Sequence, residues 1–120
     1  MGGMNMVVYG IPNCDTVKKA RAWLAEHGVA HRFHDFRKEG VPTEQLDDWL
    51  RQLGWEVLVN RKGTTWRKLD PATQHAVGDA ASARALMLRE PSVIKRPVVQ
   101  WPGGQLTVGF DAALWQQQAD

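Results

Sequence analysis

A chain of 120 residues, 43% hydrophobic and 23% charged, has the size of one globular domain and can bury a core without a disulfide framework or structural metal. A net charge of +2 supplies no global field for capturing nucleic acid, and one cysteine excludes an internal disulfide and so a disulfide-stapled secreted domain. No basic-then-apolar leader opens the chain and no run approaches ~18 apolar residues, so the expected setting is a reducing cytosol, with no membrane partner.

Met1-Gly2-Gly3-Met4 reads as an alternative start without structural weight. Met6–Tyr9 is an apolar run stopped by Gly10 and Pro12, the pattern of a buried strand. From Asp15 the period becomes helical, with Ala20, Trp23, Leu24 and His27 on one stripe and Gly28 as the stop. Ala30–Phe36 is a second strand candidate, which makes a β-α-β unit with parallel strands. A middle stretch from Pro42 to Pro91 is helical. Thr43 is placed to cap a helix with an apolar face of Leu46, Trp49, Leu50 and Leu53, ended by Gly54. Asp70-Pro71 and Asp79 each open a further helix, the last running through Ala80–Arg89, while Val57–Val59 fits either state. Pro97–Trp101, a Pro102-Gly103-Gly104 turn and Leu106–Gly109 predict a hairpin. Asp111 then caps Ala112–Gln118, with Phe110 and Trp115 spaced as a hydrophobic staple. The expectation is a single α/β domain over residues 1–120: β-α-β (6–36), a helical insert (42–91) and β-β-α (97–119).

Cys14 falls where the first strand turns into the first helix. Free N–H groups and the positive end of the helix dipole favour a thiolate there, and Lys18 and Lys19 add positive charge against Asp15. A thiolate is the nucleophile of disulfide exchange. Metal chemistry is not indicated: His31 and His34, three apart on a predicted strand, project to opposite faces. No Gly-x-Ser-x-Gly elbow is present, and Gly103-Gly104 follows a proline as a turn does. The basic residues Arg61, Lys62, Arg67 and Lys68 around Trp66 read as a solvated helical face with one buried indole rather than a nucleic-acid surface.

Tyr9–Lys19 (YGIPNCDTVKK), Lys18–Leu24 (KKARAWL), Gly63–Leu69 (GTTWRKL), Lys95–Val98 (KRPV) and Leu106–Phe110 (LTVGF), taken in order, resemble the arsenate reductase (ArsC)–Spx superfamily, and within it the YffB-like branch. The resemblance covers residues 6–119. It implies a thioredoxin-like fold with a helical insert, a catalytic Cys14 and a cis-proline at Pro97. It also implies that Arg96 and Arg61 help to bind an anionic or glutathionylated species. Asn13, Asp15 and Thr16, flanking the sulfur, complete the candidate substrate-binding set. Two departures weigh against arsenate as substrate: Gly10 stands where such reductases carry a histidine, and Gly109 where they carry a further arginine. Val17 occupies the place of the second cysteine of the Spx-type Cys-x-x-Cys switch. The expected activity is therefore a mono-thiol oxidoreductase with glutathione as co-substrate and no bound cofactor, with glutaredoxin a candidate partner. The alternatives are an Spx-type regulator that binds RNA polymerase and a sensor that is simply glutathionylated.

Overall fold

Val7–Gly10 forms the central strand β1, in which Val8, Tyr9 and Gly10 are all buried. The computed structural model describes residues 6–119, so Met1-Gly2-Gly3-Met4 lie outside the described residues. These residues form two compact units, one up to Lys38 and from Arg96 onward, the other Glu39–Lys95.

In the first unit, β1 leads through Ile11–Cys14 into α1, Asp15–Glu26. The inner stripe of α1 is Val17, Ala20 and Leu24. His27, expected on that stripe, lies just past the helix, exposed, and stacks on Trp23 at 3.8 Å between ring centroids. The helix ends in a Schellman motif: Gly28 takes φ +66°, its N–H donates to Ala25 O, and Val29 N–H donates to Leu24 O. The second strand, β2, is Arg32–Asp35, shorter than the expected Ala30–Phe36. It stops there because Asp35 Oδ1 accepts the Arg37 N–H at 2.8 Å and turns the chain into the single helical turn α2, Phe36–Glu39.

The chain returns to this sheet as β3, Val98–Gln100, and β4, Leu106–Val108. The strand order is β2-β1-β3-β4, with β1 parallel to β2 and both other pairings antiparallel. This is the mixed sheet of a thioredoxin-like fold, and the final helix α8, Ala112–Ala119, follows β4. Asp111 Oδ1 caps it through Leu114 N–H, and Phe110 meets Trp115 edge-on at 4.8 Å, closing the expected staple. Register pairs Val8 with Val99. Those two join Met6, Ala20, Leu24, Trp101 and Trp115 in one buried cluster, against which Trp23, Val29, Phe33 and Phe110 pack. Tyr9 is paired with His34 in register, with its ring centroid 5.1 Å from the imidazole, so His34 is a buried aromatic neighbour. His31 precedes the strand rather than lying on it.

The second unit is built of short helices: α3 (Thr43–Leu53), α4 (Trp55–Leu58), α5 (Thr64–Lys68), α6 (Pro71–Ala76) and α7 (Ala80–Arg89), then a 3-10 turn over Pro91–Val93. Pro42, not Thr43, is the N-cap of α3: its carbonyl accepts from Leu46 N–H, and the Thr43 side chain caps nothing. Gly54 ends α3 at φ +87°. The ambiguous Val57–Val59 divides, Val57 and Leu58 completing α4 and Val59 bridging antiparallel to Ile94. Asp70 caps α6 through Thr73 N–H, and Asp79 forms a full capping box with Ser82 on α7. Trp66 is only half-buried, against the expectation of a buried indole.

Candidate functional site

Cys14 is the N-cap residue of α1, with extended backbone angles (φ −140°, ψ 124°), and its carbonyl accepts the Lys18 N–H at 2.9 Å. Pro12 cannot continue a ladder and Asp15 begins the helical turn, so the sequence leaves the cysteine at the junction. The side chain is half-buried and unpaired with any other sulfur.

Burial is the strongest single influence on the thiol and pushes its pKa up. The Val17 N–H, the hydrogen bond and positive charge of Arg96, and the Thr16 N–H act together in the other direction. The net result is a thiol held below its ordinary value of 9.0. Thr16 and Val17 are the N2 and N3 positions of α1, whose N–H groups have no partner inside a helix. No capping hydrogen bond of ordinary geometry forms to the neutral thiol, so these donors matter when the sulfur is charged.

Arg96 stands two residues before β3, in the same unit as Cys14, and the Arg96–Pro97 peptide is cis. Pro97 is buried, and its carbonyl accepts the Gly109 N–H at 2.9 Å. Asn13, Asp15 and Thr16 are exposed around the sulfur. Arg61 belongs to the helical unit, where it is exposed and lies 5.6 Å over the Trp55 ring. It also lines an open hollow of about 300 Å³ with Glu56, Val57, Val59, Asn60, Lys62 and Lys95. Cys14, Thr16 and Arg96 are thus brought together around one sulfur, and Arg61 is placed within its own unit.

Val17 carries more than its sequence suggested. Its N–H serves the sulfur, and its fully buried side chain fills the space beside Gly10. A Cβ on Gly10 would lie 3.0 Å from Val17 Cγ2 and 3.9 Å from Arg96 Cβ. The N–H role was readable from position alone, since Val17 is N3 counted from the cysteine. The side-chain role was not, because it depends on how α1 crosses β1. Gly109 adopts φ +84°, a conformation that favours glycine. Gly10 is thus crowded by the Val17 side chain, and Gly109 is favoured by its own backbone angle. Among the described residues, no group of three or more His, Cys, Asp or Glu side chains is arranged to hold a metal ion, and no helix is long and apolar enough to cross a membrane.

The ArsC family model matches residues 9–118. An uncharacterized protein of Haemophilus influenzae is 42% identical over 111 residues, covering 92% of this chain and 96% of its own. Among solved structures, the YffB (PA3664) protein is 47% identical with a TM-score of 0.90, covering 97% of this chain and all of its own. An arsenate reductase (ArsC) related protein from Brucella melitensis is 50% identical with a TM-score of 0.75, covering 100% and 98%. More distantly, the global transcriptional regulator Spx of Listeria innocua is 23% identical over 78% of this chain and 72% of its own.

Proposed function

The chain belongs to the ArsC family and is related to arsenate reductases, and from that footing we propose that it is a mono-thiol, glutathione-dependent thiol/disulfide oxidoreductase acting through Cys14. The observation that carries the reading is the place of Cys14 as the N-cap of α1, where the Val17 and Thr16 N–H groups together with Arg96 favour a thiolate. The Cys14 thiolate attacks one sulfur of a disulfide R–S–S–R′, forming Cys14–S–S–R and expelling R′–S⁻. A first glutathione thiolate then attacks the R sulfur, returns Cys14 as thiolate and leaves R–S–S–G; a second glutathione releases R–S⁻ and glutathione disulfide. Two electrons pass from two glutathiones to the substrate. With one cysteine in the chain, no internal step can replace the external thiol. Glutaredoxin is a candidate to clear the mixed disulfide, and the cytosol is the compartment whose glutathione pool suits the cycle.

In this reading Arg96 neutralises the carboxylate or oxyanion brought to the sulfur, since a guanidinium pairs with carboxylates in a two-pronged fashion. Arg61, laid on the Trp55 ring, is the second cation that the family resemblance assigns to an anionic ligand. Asn13, Asp15 and Thr16 border the approach, and Pro97 shapes the strand entry beside Arg96.

The test is intact mass after incubation with oxidised glutathione. One glutathione should add to the wild type and none to Cys14→Ser. Arg96→Ala should slow the addition with the fold intact, and Arg61→Ala should slow it less. The adduct should persist until an external thiol is supplied. Similarity to Spx favours one rival, a regulator that binds RNA polymerase. If Cys14 stays unmodified while the protein captures polymerase subunits, that rival takes the place of the reductase.

A further inference from the structure

Beside the nucleophile loop, the first unit carries an open trough of about 390 Å³ lined by Pro12, Lys18, Arg21, Ala22, Ala25 and His31. Lys18, Arg21, Ala22 and Ala25 are linked by spacings of three and four, so they share one face of α1, and Cys14, the N-cap, stands four residues before Lys18. The lining holds two full positive charges and an imidazole, and no carboxylate. Arg21 is laid flat, its guanidinium carbon 4.3 Å from the centre of the Phe33 ring. Neither Lys18 nor Arg21 forms an ion pair among the described residues. The two carboxylates of α1, Asp15 and Glu26, stand at its ends and are not part of the lining. Beyond the cations along α1 the lining is Ala22 and Ala25, both exposed and too small to obstruct a chain lying across them.

We propose that this trough docks an extended acidic peptide segment of a protein substrate, placing a disulfide of that protein over Cys14. The inference rests on reading Cys14 as the exchanging thiol and names its substrate class. The reach from the sulfur to the far end of the trough decides between a peptide and a smaller ligand. From Cys14 to Ala25 the helix spans about 16 Å at 1.5 Å per residue, room for about five residues of extended chain at about 3.3 Å each. Glutathione, a tripeptide, would leave its far end vacant. An open surface flanked by cations outside any ion pair gains on-rate and selectivity from complementary charge.

Two peptides separate charge from chemistry. Each carries one cysteine as its 2-pyridyl disulfide and four flanking residues, all Glu in one and all Lys in the other. Cys14 attacks the peptide sulfur, the bond to pyridine-2-thiolate breaks, and the released thiopyridone is followed by absorbance. At low salt the Glu peptide should react about five- to tenfold faster than the Lys peptide, and the difference should shrink in about 0.5 M salt. Arg21→Glu should abolish or invert the preference and Arg21→Lys should keep most of it, while the rate with neutral 2,2′-dipyridyl disulfide is unchanged in both. Equal rates for the two peptides, or an equal loss with dipyridyl disulfide in Arg21→Glu, would overturn the proposal. So would tighter binding of an oligothymidylate than of a cysteine-free Glu peptide to the Cys14→Ser protein. Total inertness toward dipyridyl disulfide would instead sink the thiol reading, and peptide binding by Cys14→Ser would still judge the trough on its own.

Discussion

The sheet unit and the stretch from α5 to the start of α7 are held by different physics. In the sheet unit, residues far apart in sequence are locked by register: Val8 faces Val99, and Trp115 from the last helix meets Trp101 at 5.2 Å and Trp23 at 5.7 Å, both edge-on. Helices α5 and α6 bury no residue at all and are kept by local devices, the Asp70 cap and the Gln74 side chain donating to Trp66 O at 2.8 Å. The nucleophile and Arg96 sit on the first kind of structure, and Arg61 sits just before the second. A thiolate whose pKa depends on the placing of two N–H groups and a guanidinium needs the frame that does not give.

The same deletion in each region should break or establish that contrast. Trp115 is fully buried among three other aromatic rings. Trp115→Ala should cost about 3–5 kcal/mol in urea unfolding, as deletion of a large buried side chain does. Trp66, half-buried on α5, should cost about half of that or less as Trp66→Ala. Similar losses at the two sites would mean that the helical stretch contributes to the core as much as the sheet does.

Smaller effects should follow from substituting Gly10 in the active loop and Gly109 after β4 with the residue types expected of arsenate enzymes. Gly109→Arg places a side chain at φ +84°, which costs about 1–2 kcal/mol for an ordinary L-residue. Gly10→His drives a Cβ to 3.0 Å from Val17 Cγ2. Val17 is fully buried on α1, the helix that carries the N–H groups at the sulfur, so the crowding falls on tightly packed atoms. Overpacking of this kind costs about 1–3 kcal/mol. We expect both variants to melt below the wild type and neither to turn over arsenate as a genuine reductase does. A stable Gly10→His with strong arsenate turnover would show that the loop has more slack than Val17 allows.

Some of these features were open to a reading of the sequence and others were not. The place of Cys14 at a helix start, the Asp79 cap, the Gly28 stop and the Phe110–Trp115 staple were legible because each is set within a few residues. The Pro42 cap in place of Thr43, the split of Val57–Val59 between a helical turn and a bridge to Ile94, and the Asp35 turn that shortens β2 were not. The bridge depends on a partner 35 residues away, while the Pro42 cap and the Asp35 turn are local but use residues whose types also fit the neighbouring element. At the site, Cys14 and Arg96 could be paired through family resemblance, but the Gly10–Val17 contact could not, since it exists only where α1 crosses β1.

The smallest effect concerns pH and links the site back to the frame. Iodoacetamide alkylation followed against pH should give Cys14 a midpoint below its ordinary 9.0, and Arg96→Ala should move that midpoint upward, because a hydrogen bond and a positive charge leave the sulfur. The same shift has a consequence for stability. A group whose pKa is depressed on folding contributes stability that is fully present above its unfolded pKa and is lost as pH falls through the folded one. Cys14 should therefore stabilise the native state most near and above pH 9 and progressively less as pH drops below that, reaching nothing once the folded thiol is protonated. Urea unfolding of wild type and Cys14→Ser across this window should show their difference widening with pH and then levelling. The change should be small, since the sulfur is only half-buried and water screens its partners. In an Arg96→Ala background the widening should shrink, with the backbone donors of Val17 and Thr16 left to supply what remains. A difference that narrows as pH rises would mean that burial, the one influence pushing the thiol up, outweighs the donors, and would remove the electrostatic basis for a thiolate at Cys14.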